Sequence, residues 1–206
     1  FVYITFHTNL VMVRNLIEEV DIDSIRKLRE MGIPPFNQKN FLRNNVLLPF
    51  FVSIMENFLR SFLYRFIQTK EEVQNMIYKK KANLPYIVVK EIVDGHKNII
   101  DIEMAEYSFQ NFKSANNAYK KYLHIDLFKD ILVDKIAFNG EEKNLITVLQ
   151  DMIDRRHKLI HEADLNYELD KKKMELYHLA LEQLGQKIVQ YLKEKRNMRI
   201  DLEEEL

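Results

Sequence analysis

Cysteine is absent from the 206 residues of the chain, and glycine and proline are scarce, with four of each. The lack of cysteine excludes disulfide bonds, thiolate metal ligands and a cysteine nucleophile from this sequence, and it is typical of a reducing compartment. Because β-sandwiches and barrels need many turns rich in glycine and proline, the scarcity of both favours long helices joined by few loops. We therefore predict an all-α fold and a cytoplasmic location.

The chain also lacks an excess of charge of one sign and a long uninterrupted apolar run. Its formal net charge of zero provides no general positive field for nucleic acid, so any contact with RNA must be local. The longest apolar run, residues 46–59, contains Glu56 and is too short for a membrane span, so we expect no membrane partner. Because the chain begins with Phe1 rather than Met, we expect it to be a piece of a longer protein.

Hydrophobic periodicity predicts a core helix over residues 46–67, with Pro49 in its first turn and Asn44 or Asn45 as its cap. Seven large apolar side chains fall in one wide arc of this helix: Leu47, Phe51, Met55, Phe58, Leu59, Phe62 and Phe66. The opposite arc carries Glu56. One or two helices are predicted before residue 40, although residues 1–6 alternate well enough for a strand.

Two further helices are predicted after the turn residues Asn139 and Gly140, over residues 141–160 and 171–195. The second has a packing seam with spacings of three and four, formed by Met174, Tyr177, Leu181, Leu184, Ile188 and Tyr191. We predict a single domain over residues 1–206, a bundle with a core of four to five helices plus N-terminal helices. Its parts are a helical extension (1–40), the core (41–197) and an acidic tail (198–206).

Arg156 interrupts the apolar arc of the helix predicted over residues 141–160. Its neighbours three and four positions away are apolar, namely Met152, Ile153, Leu159 and Ile160. A charge in such surroundings is costly unless it is paired. Arg155 and Lys158 each have an aspartate four residues before them, Asp151 and Asp154, so we expect both on an ordinary solvated face.

His161 follows Arg156 by five residues, which places the two side chains about 140° apart around an uninterrupted helix. In that geometry they cannot converge on one phosphate. Either the helix ends before His161, or two copies of the chain face each other across a two-fold axis, and both alternatives are open. A symmetric dimer would bring two Arg156 and two His161 side chains to a shared cleft.

The string from Arg155 to His161 resembles the signature of the HEPN family, an Arg separated by a short spacer from a His, with Asn, Asp or His favoured directly after the Arg. Arg156, His157 and His161 match this pattern. The resemblance extends over roughly residues 41–195, to an earlier helix bearing an acidic residue, Glu56, and to a long final helix. Within this family, the chain resembles most strongly the HEPN-like nucleases of prokaryotic defence loci.

This resemblance implies a metal-independent endoribonuclease without a cofactor, usually a homodimer, that acts as a toxin or in antiviral defence by abortive infection. It implies that Arg156 and His161 are catalytic, that Glu56 orients or neutralises Arg156, and that His157 positions the backbone or the substrate. Arg155 and Lys158 are then the candidates for binding RNA. An antitoxin or an additional regulatory domain is the expected partner that restrains the activity.

Structural alternatives stay open for each of these residues. Arg156 could form a buried ion pair with Glu56 or another carboxylate, and His161 could be a C-terminal helix cap. Glu56 could form an ordinary intrahelical pair with Arg60. His157 and His161 have the spacing of a metal-binding pair, and Glu162 or Asp164 could be the third ligand. Because Lys158 and the two arginines make these surroundings unfavourable to a cation, we expect no metal site. The alternative function is a catalytically inactive HEPN-like module for dimerisation or ligand binding.

Overall fold

The computed structural model describes residues 1–35 and 38–196 of the chain. Over these residues the fold is all-α, as predicted, with one small hairpin. The helices are α1 (Val2–Arg14), α2 (Ile22–Glu30), α3 (Lys39–Thr69), α4 (Glu71–Tyr78), α5 (Tyr86–Val93), α6 (Ile99–Ala105), α7 (Phe112–Leu123), α8 (Leu145–His161) and α9 (Lys171–Arg196). A π-helical turn (Leu127–Ile131) and the strands β1 (Lys135–Phe138) and β2 (Glu141–Asn144) lie between α7 and α8.

The chain divides into two compact units. Unit 1 comprises Phe1–Met55 together with Phe128–Leu206, and unit 2 comprises Glu56–Leu127. Helix α3 contributes its first half to unit 1 and its second half to unit 2. The division of the sequence into extension, core and tail stays a prediction, and the acidic tail over residues 198–206 lies outside the described part of the chain.

Helix α3 begins at Lys39, earlier than predicted, so Pro49 lies well inside the helix rather than in its first turn. The missing N–H of Pro49 removes the helical hydrogen bond to the carbonyl of Asn45. All of the predicted arc is buried except Phe66, which is half-buried. By length and composition α3 could also cross a membrane, but half of its most apolar window is buried inside the protein, the pattern of a core helix.

Asn44 and Asn45 do not cap α3, because both lie inside it and both are buried. The Asn45 side chain accepts a hydrogen bond from the Asn166 N–H at 2.7 Å and donates one to the Asn166 carbonyl at 3.1 Å. Asn44 donates to the Leu169 carbonyl at 3.0 Å. The predicted cap is therefore wrong, and these two amides instead hold the loop between α8 and α9.

Residues 141–144 form a strand, so the helix predicted from residue 141 begins only at Leu145. Asn139 and Gly140 have φ angles of 51° and 81°, which is the geometry of the type I′ turn that joins two-residue hairpins. Strand β2 pairs antiparallel with β1 in the register Phe138 to Glu141. The hairpin thus sets the position at which α8 starts.

Helix α9 is the central element of unit 1. The predicted seam is confirmed: Met174, Tyr177, Leu181, Leu184 and Ile188 are fully buried, and Tyr191 is half-buried. Both α1 and α8 pack against α9. Residues 2–6 belong to α1, so the alternative of an N-terminal strand is wrong.

Gly185 allows α1 to approach α9 closely. A methyl group at this position would collide with the ring of Phe6, which is buried, and would lie 3.2 Å from Cε2 of Tyr3. Contacts of that kind force neighbouring side chains or backbone to move. The absence of a side chain at Gly185 is therefore required by the packing of the first helix on the last.

We expect Gly185→Ala to lower the free energy of unfolding by about 1–3 kcal/mol, because the added methyl group overpacks the contact with Phe6. At an unobstructed helix position the same change stabilises a protein by about 0.5–1 kcal/mol. The sign of the effect therefore shows whether the added methyl group collides with Phe6. Urea unfolding followed by circular dichroism measures it. Adding Phe6→Leu should recover part of the loss, and a stabilising Gly185→Ala would contradict the close approach.

Unit 2 contains a buried carboxylate, Glu103, which is 5% exposed. Lys80 Nζ and the Tyr122 hydroxyl donate hydrogen bonds to it, and Lys121 Nζ does so at 3.0 Å. Burial by itself raises the pKa of Glu103, but these hydrogen bonds outweigh burial and lower the pKa to about 2. The network joins α6, α7 and the chain after α4 around a single charge.

The stability of unit 2 is expected to fall between about pH 4.5 and about pH 2. Because the folded carboxyl of Glu103 has the lower pKa, its contribution is present above the unfolded pKa and is lost as pH falls through the folded value. The contribution is at most about 3 kcal/mol. Urea unfolding at a series of pH values should show this loss in the wild type and a flatter profile in Glu103→Gln. Glu106→Gln, which removes a more exposed carboxyl near Lys80, is the control and should keep the wild-type profile.

Candidate functional site

The residues of the Arg–His motif lie on the last turns of α8, which is helical through His161. The Lys158 carbonyl accepts hydrogen bonds from the N–H groups of Glu162 and Asp164, and Ala163 has a φ of 52°, so the helix ends directly after His161. The alternative in which the helix ends before His161 is therefore wrong. On this continuous helix Arg156 and His161 are directed about 140° apart, which leaves two facing copies as the arrangement in which they can meet.

Arg156 is half-buried on the side of α8 that carries the buried residues Leu149 and Met152. Its Nε atom is buried and has no hydrogen-bond acceptor among residues 1–35 and 38–196. Within the described part of unit 1, no carboxylate forms an ion pair with its guanidinium. The predicted position toward apolar surroundings is confirmed, and among the described residues of its own unit no acidic side chain holds the guanidinium.

Arg155, by contrast, is held by two carboxylates. Its Nε donates to Asp151 Oδ1 at 2.7 Å, which confirms the predicted pair, and its Nη2 donates to Glu168 Oε2 at 2.8 Å. From α9, Lys173 Nζ lies 2.6 Å from Asp151 Oδ2 and the Tyr177 hydroxyl donates to the same atom at 2.7 Å. Partial burial raises the pKa of Asp151, but hydrogen bonds from these three donors outweigh it and keep the pKa below its usual value. The face is thus an ionic junction between α8 and α9.

The second predicted pair on this helix, between Asp154 and Lys158, is not formed. Asp154 instead accepts a hydrogen bond from Gln150 Nε2 at 2.8 Å. Lys158 is exposed and has no ion-pair partner in the part of unit 1 that the structure describes. Its ammonium group is therefore available to a ligand.

His157 and His161 are exposed neighbours one turn apart on α8. Their ring centroids lie 4.4 Å apart, with an angle of 41° between the ring planes. Among the described residues, no group of three or more His, Cys, Asp or Glu side chains is arranged to hold a metal ion. The two imidazoles thus lie side by side on the exposed surface at the end of the helix.

Glu56 belongs to unit 2, where its Oε2 accepts a hydrogen bond from Gln110 Nε2 at 2.6 Å. The alternative of an intrahelical pair with Arg60 is not formed, and the guanidinium of Arg60 lies over the ring of Phe109 at 5.9 Å from its centroid. Because Arg156 belongs to unit 1, the predicted role of Glu56 toward it stays a proposal.

A cleft of about 260 Å³ opens beside the last turns of α8. Arg155 and Lys158 line one side, Arg29 of α2 lines another, and residues 164–168 form the remaining wall. The guanidinium carbon of Arg29 lies 4.6 Å from the centroid of the Tyr167 ring. The sequence analysis missed Arg29, because only the packing of α2 brings it to this cleft and no local pattern distinguishes it from its neighbours.

No family model matches the sequence. Neither the curated proteins nor the solved structures include a significant match to the chain. The resemblance to the HEPN family, and the function that it implies, therefore rest on the motif and on the placement of its residues.

We expect Asp151→Asn to lower the free energy of unfolding by about 1–3 kcal/mol, because it removes the charge that Arg155 and Lys173 share. Urea unfolding at pH 7 measures the change. Asp154→Asn on the same helix is the matched control, since the exposed carboxylate of Asp154 accepts a hydrogen bond from Gln150, and it should change stability by less than about 0.5 kcal/mol. Equal effects of the two substitutions would contradict the role of Asp151 as the junction.

Proposed function

We propose that the chain is an endoribonuclease of the HEPN kind, which cleaves RNA without a metal ion through attack by a ribose 2′-hydroxyl. The guanidinium of Arg156 is the observation that carries the proposal. Its buried Nε has no acceptor among the described residues, and such a donor costs about 1–3 kcal/mol. Buried donors are normally paired, and a phosphate is a partner that fits the guanidinium fork.

His161 is the proton-transfer group in this proposal, because an imidazole gains and loses a proton near neutral pH. It takes the proton of the 2′-hydroxyl, the 2′-oxygen bonds to phosphorus, and the bond from phosphorus to the 5′-oxygen breaks. The leaving oxygen takes a proton from solvent, so the products carry a 2′,3′-cyclic phosphate and a 5′-hydroxyl. Arg156 stabilises the extra negative charge that the phosphate gains in the transition state.

A second copy of the chain completes the proposed site. Since Arg156 and His161 are directed about 140° apart on a single helix, Arg156 of one copy and His161 of the other must share each scissile phosphate. A two-fold axis produces two such sites from one motif. His157, whose ring lies 4.4 Å from that of His161, positions the second imidazole or the substrate.

The biological setting in this proposal is defence against phage or a toxin system in the cytoplasm, where RNA is the substrate. Glu56 is proposed to orient or neutralise Arg156 in the assembled protein. An antitoxin or an additional regulatory domain restrains the activity, because an unrestrained ribonuclease would damage the RNA of its own cell.

Wild-type protein incubated with end-labelled single-stranded RNA in EDTA is expected to produce fragments with cyclic phosphate ends. His161→Ala should reduce the cleavage rate about 10²- to 10⁴-fold because it removes the proton acceptor. Arg156→Ala should reduce it about 10²- to 10³-fold because it removes transition-state stabilisation. His96→Ala and Arg65→Ala are the matched controls, since both replace exposed residues outside the motif, and they should leave the rate unchanged.

Mixing the two inactive variants tests whether the site is shared between copies. A dimer with one His161→Ala subunit and one Arg156→Ala subunit keeps one complete shared site, so random mixing should restore about a quarter of the wild-type activity. A site within one chain would give no recovery. If folded, dimeric wild type is as inert as both variants, the alternative of an inactive dimerisation or ligand-binding module replaces the nuclease.

A further inference from the structure

The cleft beside α8 contains two cations that no anion neutralises within the described part of unit 1. Lys158 is exposed at its edge and forms no ion pair with any residue that the structure describes in this unit. Arg29 enters from α2 and also has no ion-pair partner there; its guanidinium lies against the Tyr167 ring at 4.6 Å. Cationic side chains that line one concave surface and are not engaged in ion pairs are suited to bind the phosphates of a ligand.

The position of this cleft on α8 connects it to His161. Lys158 and His161 are three residues apart on one continuous helix, so their side chains are neighbours on its surface, with about 5–6 Å between Cβ atoms. Arg156, in contrast, is directed about 160° away from Lys158 around the helix axis. An RNA strand whose scissile phosphate lies at His161 would therefore continue into the cleft. It would not continue toward the side of α8 that carries Arg156.

The walls of the cleft favour a nucleotide over a simple anion. A guanidinium that stacks on tyrosine with one face can accept a base on its other face, and Arg29 is exposed. Asp164 adds to the lining a carboxylate that can accept hydrogen bonds from the exocyclic amino group of a base. One phosphate and one base together match this combination of charges.

The loop that forms the wall is held before any ligand binds. Asn45 makes two hydrogen bonds to the backbone of Asn166, and Glu168 is bound by Arg155 at 2.8 Å. A surface that is already ordered loses less conformational entropy on binding. The cleft is therefore a formed site at the edge of the motif helix.

We propose that this cleft is a subsite for one nucleotide of single-stranded RNA adjacent to the scissile phosphate, with Arg29 and Lys158 binding phosphate and the Arg29–Tyr167 stack supporting the base. The inference rests on the proposed nuclease function for the identity of the strand. It adds Arg29 and Tyr167, which the motif does not include, to the residues that recognise the substrate.

The test measures binding of a fluorescent single-stranded RNA whose 2′-hydroxyls are all methylated, so that it cannot be cleaved. Fluorescence anisotropy with the full chain should give a Kd that rises about 5- to 10-fold in Arg29→Ala and in Lys158→Ala, with the salt dependence of binding reduced by about one ion for each. Arg26→Ala and Lys27→Ala remove the same charge from exposed positions on α2 outside the cleft and should leave the Kd within about two-fold.

Two variants of Tyr167 separate stacking from folding. Tyr167→Phe keeps the ring under Arg29 and should keep the Kd, whereas Tyr167→Ala should weaken binding by as much as Arg29→Ala. Because Tyr167 also lies 5.4 Å from the ring of Phe41, the thermal stability of both variants is measured alongside. Loss of affinity in Tyr167→Phe equal to that in Tyr167→Ala would overturn the stacking role.

The outcomes distinguish the subsite from the nuclease. If Arg29→Ala and Lys158→Ala weaken binding while wild type cleaves no RNA, the cleft is confirmed as a binding site for single-stranded RNA and the proposed reaction fails. If wild type cleaves RNA and neither substitution changes the Kd, the subsite is overturned and the reaction stands. Full displacement of the RNA by adenosine 5′-monophosphate at micromolar concentration would also overturn the proposed RNA subsite, since the cleft would then be a site for free nucleotides.

Discussion

The carboxylate of Asp151 fixes the end of α8 on which every proposed function depends. One of its oxygens is bound by Arg155 of the same helix, and the other by Lys173 and Tyr177 of α9. Because α9 also supports α1 through a buried seam, the last turns of α8 are attached to the helix on which α1 packs. The directions in which the motif side chains point follow from this attachment and from the helical repeat.

Three cations lie within four residues of α8, and their surroundings give them different properties. Arg155 is bound by two carboxylates and serves mainly to join segments of the chain. Arg156 lies toward the core without an acidic partner among the described residues of unit 1, and Lys158 lies at the open edge of a cleft. Because two carboxylates already accept hydrogen bonds from Arg155, fewer of its N–H donors are available to a phosphate. Of the two residues predicted to bind RNA, Lys158 is therefore the better candidate.

The sequence was sufficient to predict the all-α class, the buried seam of α9 and the ion pair between Asp151 and Arg155. Each of these features depends on the spacing of residues along a helix. It was insufficient where distant segments decide the outcome. Asn45 looked like a helix cap, but its amide binds a loop far along the chain, and Arg29 reaches its cleft only through the packing of α2. The turn at Asn139–Gly140 is predicted, yet residues 141–144, the second strand of the hairpin that this dipeptide favours, are predicted as helix.

Unit 1 is assembled from two stretches of chain with all of residues 56–127 between them. Phe6 has its packing partner at Gly185, so α1 must wait until α9 has left the ribosome before it can bury its apolar face. Unit 2 is continuous in sequence and has no such delay. The nascent chain consequently passes through a period in which α8 has been synthesised but α9, the helix that supports it, has not.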